Sequence, residues 1–173
     1  MKTIEPLDFW KWAFSDFLSN SLRGVLAEYI VAHAINCNGQ PRTEWDAYDL
    51  RAADGTKIEV KSSAYLQSWN QKQHSIPRFD IAQKIAWDAK TNVSLQQAAR
   101  SADVYVFCVF AELDRTKANP LDTSQWFFFV CSANFINEKF KQQKTIRLSS
   151  LERHGLNRVL FEQLATEIER CKS

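Results

Sequence analysis

The residues best suited to chemistry are Glu59 and Lys61, in the run Ile58-Glu59-Val60-Lys61. On a β-strand, side chains two apart point to the same face, so acid and base share a surface while Ile58 and Val60 point to the other. That β-branched, apolar face anchors the strand, which suits charged groups that must be held to within a fraction of an ångström. Asp49 stands ahead of Glu59 with nine residues between them, and the reversal at Asp54-Gly55 lets it reach the same patch. Two carboxylates are hard oxygen donors for a divalent cation, and a lysine beside them can orient or help to deprotonate a water and stabilise developing charge. Hydrolysis of a phosphodiester needs that combination, because a metal must lower the pKa of a water and neutralise charge on the phosphate. Asp46 is a rival to Asp49, but strand alternation places Asp46 with Tyr48 and Leu50 on the other face.

Elements that could position this patch are legible around it. Apolar residues from Leu7 to Leu18 recur at spacings of three and four, predicting an amphipathic helix whose stripe packs on the core. Ser21 is a candidate cap for a second helix, LRGVLAEYIVAHAI, ending near Asn36 and Asn38-Gly39. That helix is apolar on nearly every face, as in a helix buried on most sides, yet it carries Glu28, a carboxylate that needs a partner. Neither Arg23 nor His33 sits at the helical spacing that would pair with it. WDAYDLR and KIEVKSSAYL read as two strands, followed by strands at Val104–Ala111 and Trp126–Ser132. Between Gln67 and Ser101 the reading is loop, with a short helix around Ile81–Ala89 and no strand. VLFEQLATEIERC closes the chain as an amphipathic helix. The order makes an α/β or α+β fold, a central mixed β-sheet flanked by helices.

Composition narrows the class. A chain of 173 residues with six Trp and twelve Phe has ample core material for one domain spanning 1–173, and no linker-like stretch divides it. Four widely spaced cysteines make no metal-ligand pair; Cys108 and Cys131, inside apolar runs, read as buried hydrophobes in a cytoplasmic protein. No export signal is visible, and no apolar run approaches the roughly 20 residues needed to span a bilayer, so no membrane partner is expected. The net charge of +2 is small, but residues 61–100 hold six Lys/Arg against two Asp/Glu, directly after the acid-lysine pair. From that stretch Tyr65 and Trp69 are candidates for base stacking, Gln67 for hydrogen bonding, and Lys72, Arg78 and Lys84 for phosphate contacts. A polar connecting loop is the alternative reading of the same segment.

Asp49, the intervening nine residues and Glu59-Val60-Lys61 resemble the motif of the PD-(D/E)xK, or restriction-endonuclease-like, nuclease superfamily. Its members carry a Glu on a helix ahead of the motif strands, and Glu28 matches that element. Tyr48 replaces the motif's proline. The resemblance covers roughly Leu22 to Ala111 and implies a core of order α-β-β-β-α-β. It also implies hydrolysis of nucleic acid, DNA more than RNA, with Mg2+ or Mn2+ held by Asp49, Glu59 and the Val60 carbonyl. Lys61 would then be catalytic, Glu28 would assist, and a homodimer is possible. The alternatives are a silent nucleic-acid-binding or protein-interaction module of the same fold, or an unrelated domain in which Glu59 and Lys61 form a structural ion pair.

Overall fold

The structure, a computed structural model, describes residues 3–39, 42, 47–85, 87–88, 93–94 and 98–172. Pro6 starts the first helix, α1 (Pro6–Ala13), at the position where a missing N–H is harmless. The helix ends sooner than the apolar spacing suggests, because Asp16 turns the chain by accepting the Leu18 N–H at 3.1 Å. Its stripe does not reach the core. No residue of α1 is buried, and Phe9, Trp10 and Phe14 are exposed, while Phe17 and Leu18, beyond the helix, pack on the core.

Helix α2 (Asn20–Ala34) is capped by Ser19, whose extended backbone lets its hydroxyl accept the Leu22 N–H; Ser21 lies inside the first turn. One side of α2 buries Leu26, Ala27, Ile30 and Val31, but Val25 and Tyr29 are exposed, so it lies against the sheet with a solvent face. Strands β1 (Leu50–Arg51) and β2 (Lys57–Ala64) form an antiparallel hairpin around Gly55, whose φ of 93° favours glycine. The first strand is much shorter than WDAYDLR, of which residues 45–46 lie outside the described residues.

Three short strands occupy the stretch read as loop and helix: β3 (Arg78–Asp80), β4 (Trp87–Asp88) and β5 (Val93–Ser94). Among the described residues no helix lies between β2 and the next long strand, so the helix expected at Ile81–Ala89, of which Ala86 and Ala89 lie outside the described residues, and the order α-β-β-β-α-β are not found among them. The backbone there is engaged elsewhere. The Ile81 carbonyl accepts from Arg100 at 2.9 Å, and Lys84 exchanges backbone hydrogen bonds with Ala99 at 3.0 Å, which takes these groups out of a helical ladder.

Strand β6 (Val104–Phe110) is buried at every residue, as expected of a central strand covered on both faces. It pairs parallel with β2 and antiparallel with β7 (Trp126–Ser132), giving a mixed sheet of order β1-β2-β6-β7. Helix α3 (Ala133–Phe140), strand β8 (Thr145–Arg147) and helix α4 (Leu148–Arg153) follow, none of them anticipated; β8 pairs antiparallel with β3. Helix α5 (Phe161–Arg170) closes the fold and buries Leu164 and Ile168.

Two apolar layers enclose the sheet. Ile58, Val60, Val106, Cys108 and Phe128 pack with α2 and α5 on one face. Tyr105, Phe107, Val109 and Phe129 pack with Phe79, Ile146 and the helices α3 and α4 on the other. The fold is thus mixed α/β, a central mixed sheet flanked by helices, and among the described residues no helix is long and apolar enough to cross a membrane.

Candidate active site

Ile58 and Val60 are buried in the first layer, which turns Glu59 and Lys61 to the second face, as strand alternation requires. Glu59 accepts a hydrogen bond from the Lys61 ammonium. Both side chains are mostly buried, 14% and 17% exposed, so this is not a solvated surface pair. In the parallel register Tyr105 is the neighbour of Glu59 and Phe107 of Lys61, which puts aromatic walls on one side of the two charges. Tyr105 was not singled out by sequence; only the register reveals it.

Asp49 sits one residue ahead of β1 rather than within it. Its backbone N–H donates to the Ile58 carbonyl at 3.1 Å, and its Oδ2 accepts the Val60 N–H at 2.7 Å. A strand residue's N–H and C=O project to the same edge, so the Val60 carbonyl emerges on the side where Asp49 stands. Glu28, 12% exposed, comes from α2 and receives the Arg42 guanidinium, one bond measuring 3.1 Å. Its pairing partner is therefore Arg42, in a segment sequence reading did not link to it. Asp46 lies outside the described residues.

Burial raises the Asp49 carboxyl above its ordinary value, against the Val60 N–H and the Lys61 charge, while the nearby Glu28 charge adds to the rise. Burial also raises Glu59; Lys61 opposes that shift and Asp49 reinforces it. At Lys61 burial alone would favour the neutral amine, but the Glu59 charge and hydrogen bond, with Asp49 and Asp80, reverse the balance, so the ammonium persists. Desolvation dominates at Glu59 and ion pairing dominates at Lys61. The result is a buried acidic pair, raised in pKa, beside a fixed cation.

Two such carboxylates suit a divalent cation, which would relieve the repulsion that Asp49 exerts on Glu59. Among the described residues no three His, Cys, Asp or Glu side chains gather to hold a metal by themselves. A site here would take Asp49, Glu59 and a backbone oxygen.

The six expected nucleic-acid contacts divide. Gln67 is 6% exposed, its Nε2 donates to the Ala64 carbonyl at 3.2 Å, and its N–H donates to the Gln71 side chain at 2.7 Å. Tyr65 is half-buried against the second layer. Trp69, Lys72 and Arg78 are exposed. Lys84 is exposed, bridges Asp80 at 3.7 Å, and its charge favours ionisation of both Asp49 and Glu59, which places it beside the acidic patch. Arg115 pins this loop by donating to the Gln67 and Trp69 carbonyls at 2.6 and 2.8 Å, a role with no signal in the sequence.

A polar cavity of about 620 Å3 opens elsewhere, at the start of β2 and β6, lined by Thr56, Arg100, Asp103, Asn137 and Lys172. Its cations are internally engaged, Lys172 by Asp54 and Arg100 by Asn137 and backbone carbonyls. It holds neither Asp49 nor Glu59, and its own two acids are engaged, Asp54 by Lys172 and the Thr56 N–H, Asp103 by the Lys57 N–H.

No curated protein matches this chain. Residues 12–150 match the family model of bacteriophage T4 endonuclease IV. The match spans α2, the hairpin carrying Asp49, Glu59 and Lys61, and the sheet through β8. The chain belongs to the bacteriophage T4 endonuclease IV family, a family of nucleases.

Proposed function

We propose that the protein is a metal-dependent endonuclease of the PD-(D/E)xK type that hydrolyses phosphodiester bonds of DNA. The observation that carries this reading is the buried cluster of Asp49, Glu59 and Lys61, assembled by one hairpin and one hydrogen bond to Val60. Structural ion pairs rarely bury a second carboxylate beside the first, because each additional buried charge costs desolvation. A site that binds a cation and a phosphate has a use for both.

Asp49, Glu59 and the Val60 carbonyl would hold Mg2+ or Mn2+. When bound, the ion would lower the pKa of a water and neutralise charge on the phosphate. Lys61 keeps its proton beside Glu59 and presents a compact ammonium to the attacking water and to the phosphoryl oxygens. Tyr105 and Phe107 exclude bulk water from one side of these charges, which strengthens their interactions. Glu28, held by Arg42, adjusts the charge on Asp49. Exposed Trp69, Lys72, Arg78 and Lys84 receive the strand.

The test incubates the purified protein with single-stranded and duplex DNA and RNA, with Mg2+, Mn2+ or a chelator. Cleavage of DNA that requires the metal supports the proposal. Binding without cleavage under all these conditions makes the protein a silent nucleic-acid-binding module.

A further inference from the structure

Strands β3 and β8 form a small antiparallel ribbon in which Arg78 stands opposite Arg147, Phe79 opposite Ile146 and Asp80 opposite Thr145. Phe79 and Ile146 are buried in the second layer, so Arg78 and Arg147 share the exposed face. Side chains directly opposite on an antiparallel pair have Cβ atoms roughly 5 Å apart, and like charges there destabilise the pairing. Among the described residues neither guanidinium has a hydrogen-bond or ion-pair partner. Other arginines of this fold are engaged: Arg100 by Asn137 and three backbone carbonyls, Arg115 by two carbonyls, Arg158 by Glu152. Two cations facing each other on a paired ribbon, without an ion-pair partner among the described residues, cost stability.

The ribbon also lies beside the acidic patch. The Arg78 N–H donates to the Ser63 hydroxyl at 3.2 Å, two residues beyond Lys61 on the same face of β2. Asp80, on the same face of β3 as Arg78, acts on the charge of Lys61. Lys84 bridges that Asp80 and acts on Asp49 and Glu59.

We infer that Arg78 and Arg147 form a two-guanidinium clamp for a backbone phosphate of the nucleic-acid strand, beside the phosphate that is cut. The inference rests on the nuclease reading above and extends it to Arg147, far along the chain from the segment expected to line the groove. Each guanidinium offers paired donors that match phosphate oxygens, and a phosphate between them cancels their repulsion. Such a contact ignores base identity and fixes where the strand lies relative to Asp49 and Glu59. A repeating polyanion suits this position better than a single carboxylate, because the neighbouring site must also receive a phosphate.

The experiment measures binding of a fluorescein-labelled single-stranded oligonucleotide, and of its duplex, by anisotropy in the presence of a chelator and over a range of salt. Wild type is compared with Arg147→Ala, Arg78→Ala and the double variant, with melting temperature and Mn2+ affinity recorded for each. Each single substitution is expected to weaken binding roughly tenfold and to flatten the logarithmic salt dependence by about 0.7 for single strands. The double variant should lose little more than either single one, because both arginines grip one phosphate. Melting temperature should hold or rise, and Mn2+ affinity should not change. If wild type binds while Arg147→Ala binds equally at every salt concentration, the clamp is wrong and the nuclease reading stands. A wild type that binds no nucleic acid overturns both. Affinity lost only together with a fall in melting temperature, or competition by poly-glutamate as effective as by oligonucleotide, also overturns the clamp.

Discussion

The Asp49 carboxylate accepts the backbone N–H of Val60 at 2.7 Å, so a residue ahead of the first sheet strand is latched between Glu59 and Lys61. The bond leaves Asp49 a second oxygen and joins both acids to one strand. Substitutions around this contact therefore separate charge from shape.

Asp49→Asn keeps an acceptor for Val60 and removes the charge. The folded-state pKa of Asp49 is raised, so the stability linked to its protonated form is present in acid and lost as pH rises through that value. Without metal the variant should therefore melt higher than wild type at neutral pH, with the gain vanishing in acid. Mn2+ binding should fall, and by more than in Asp46→Asn. A lower melting temperature at neutral pH would show that the Asp49 charge stabilises the fold.

Lys61→Ala and Glu59→Ala should each reduce cleavage at least a hundredfold or so, with different effects on stability. Without Lys61, Glu59 can take up a proton, towards which burial already pushes it. Without Glu59, the buried Lys61 ammonium loses its hydrogen-bonded partner, at a cost on the order of 3 kcal/mol. Thermal melts should rank Glu59→Ala below Lys61→Ala; the opposite order would show that Lys61 is not held by Glu59.

Glu28→Gln should move the pH dependence of Mn2+ binding. Glu28 disfavours ionisation of Asp49, so its neutral analogue should let Asp49 ionise, and the metal bind, at lower pH. Isothermal titrations across the acid range would read the shift. An unchanged midpoint would remove Glu28 from the site.

Gln67→Ala and Trp69→Ala should separate loop structure from contact. Gln67 is buried and bonded to Ala64, so its loss should lower the melting temperature while sparing oligonucleotide affinity at temperatures where the fold holds. Trp69 is 55% exposed, and its truncation should leave stability and weaken single-strand binding by a stacking contribution of about 1–3 kcal/mol. Equal losses of affinity in the two variants would contradict this division.

The central hairpin was legible because strand alternation, the Asp54-Gly55 reversal and an apolar back face all act locally. Strands β6 and β7 were legible because full burial leaves an unbroken apolar run. The short strands β3 and β8 were not, because a three-residue strand has almost no periodicity and is made by its partner far along the chain. The same reason hid Arg147, Tyr105 and Arg42: each reaches its place through tertiary pairing. Gln67 and Trp69 looked alike in a polar loop, and only packing distinguishes a buried amide from an exposed indole. The aromatic spacing of α1 was read correctly as helical and wrongly as buried, since periodicity reports a face and not what covers it.

The most direct measurement compares cleavage of single-stranded and duplex DNA by wild type, Asp49→Asn and Lys61→Ala in Mg2+, Mn2+ and chelator, with folding of each variant verified by its melt. Wild type should show metal-dependent cleavage that chelator abolishes and both folded variants lack. Cleavage that persists in chelator, or at the wild-type rate in either variant, would contradict it.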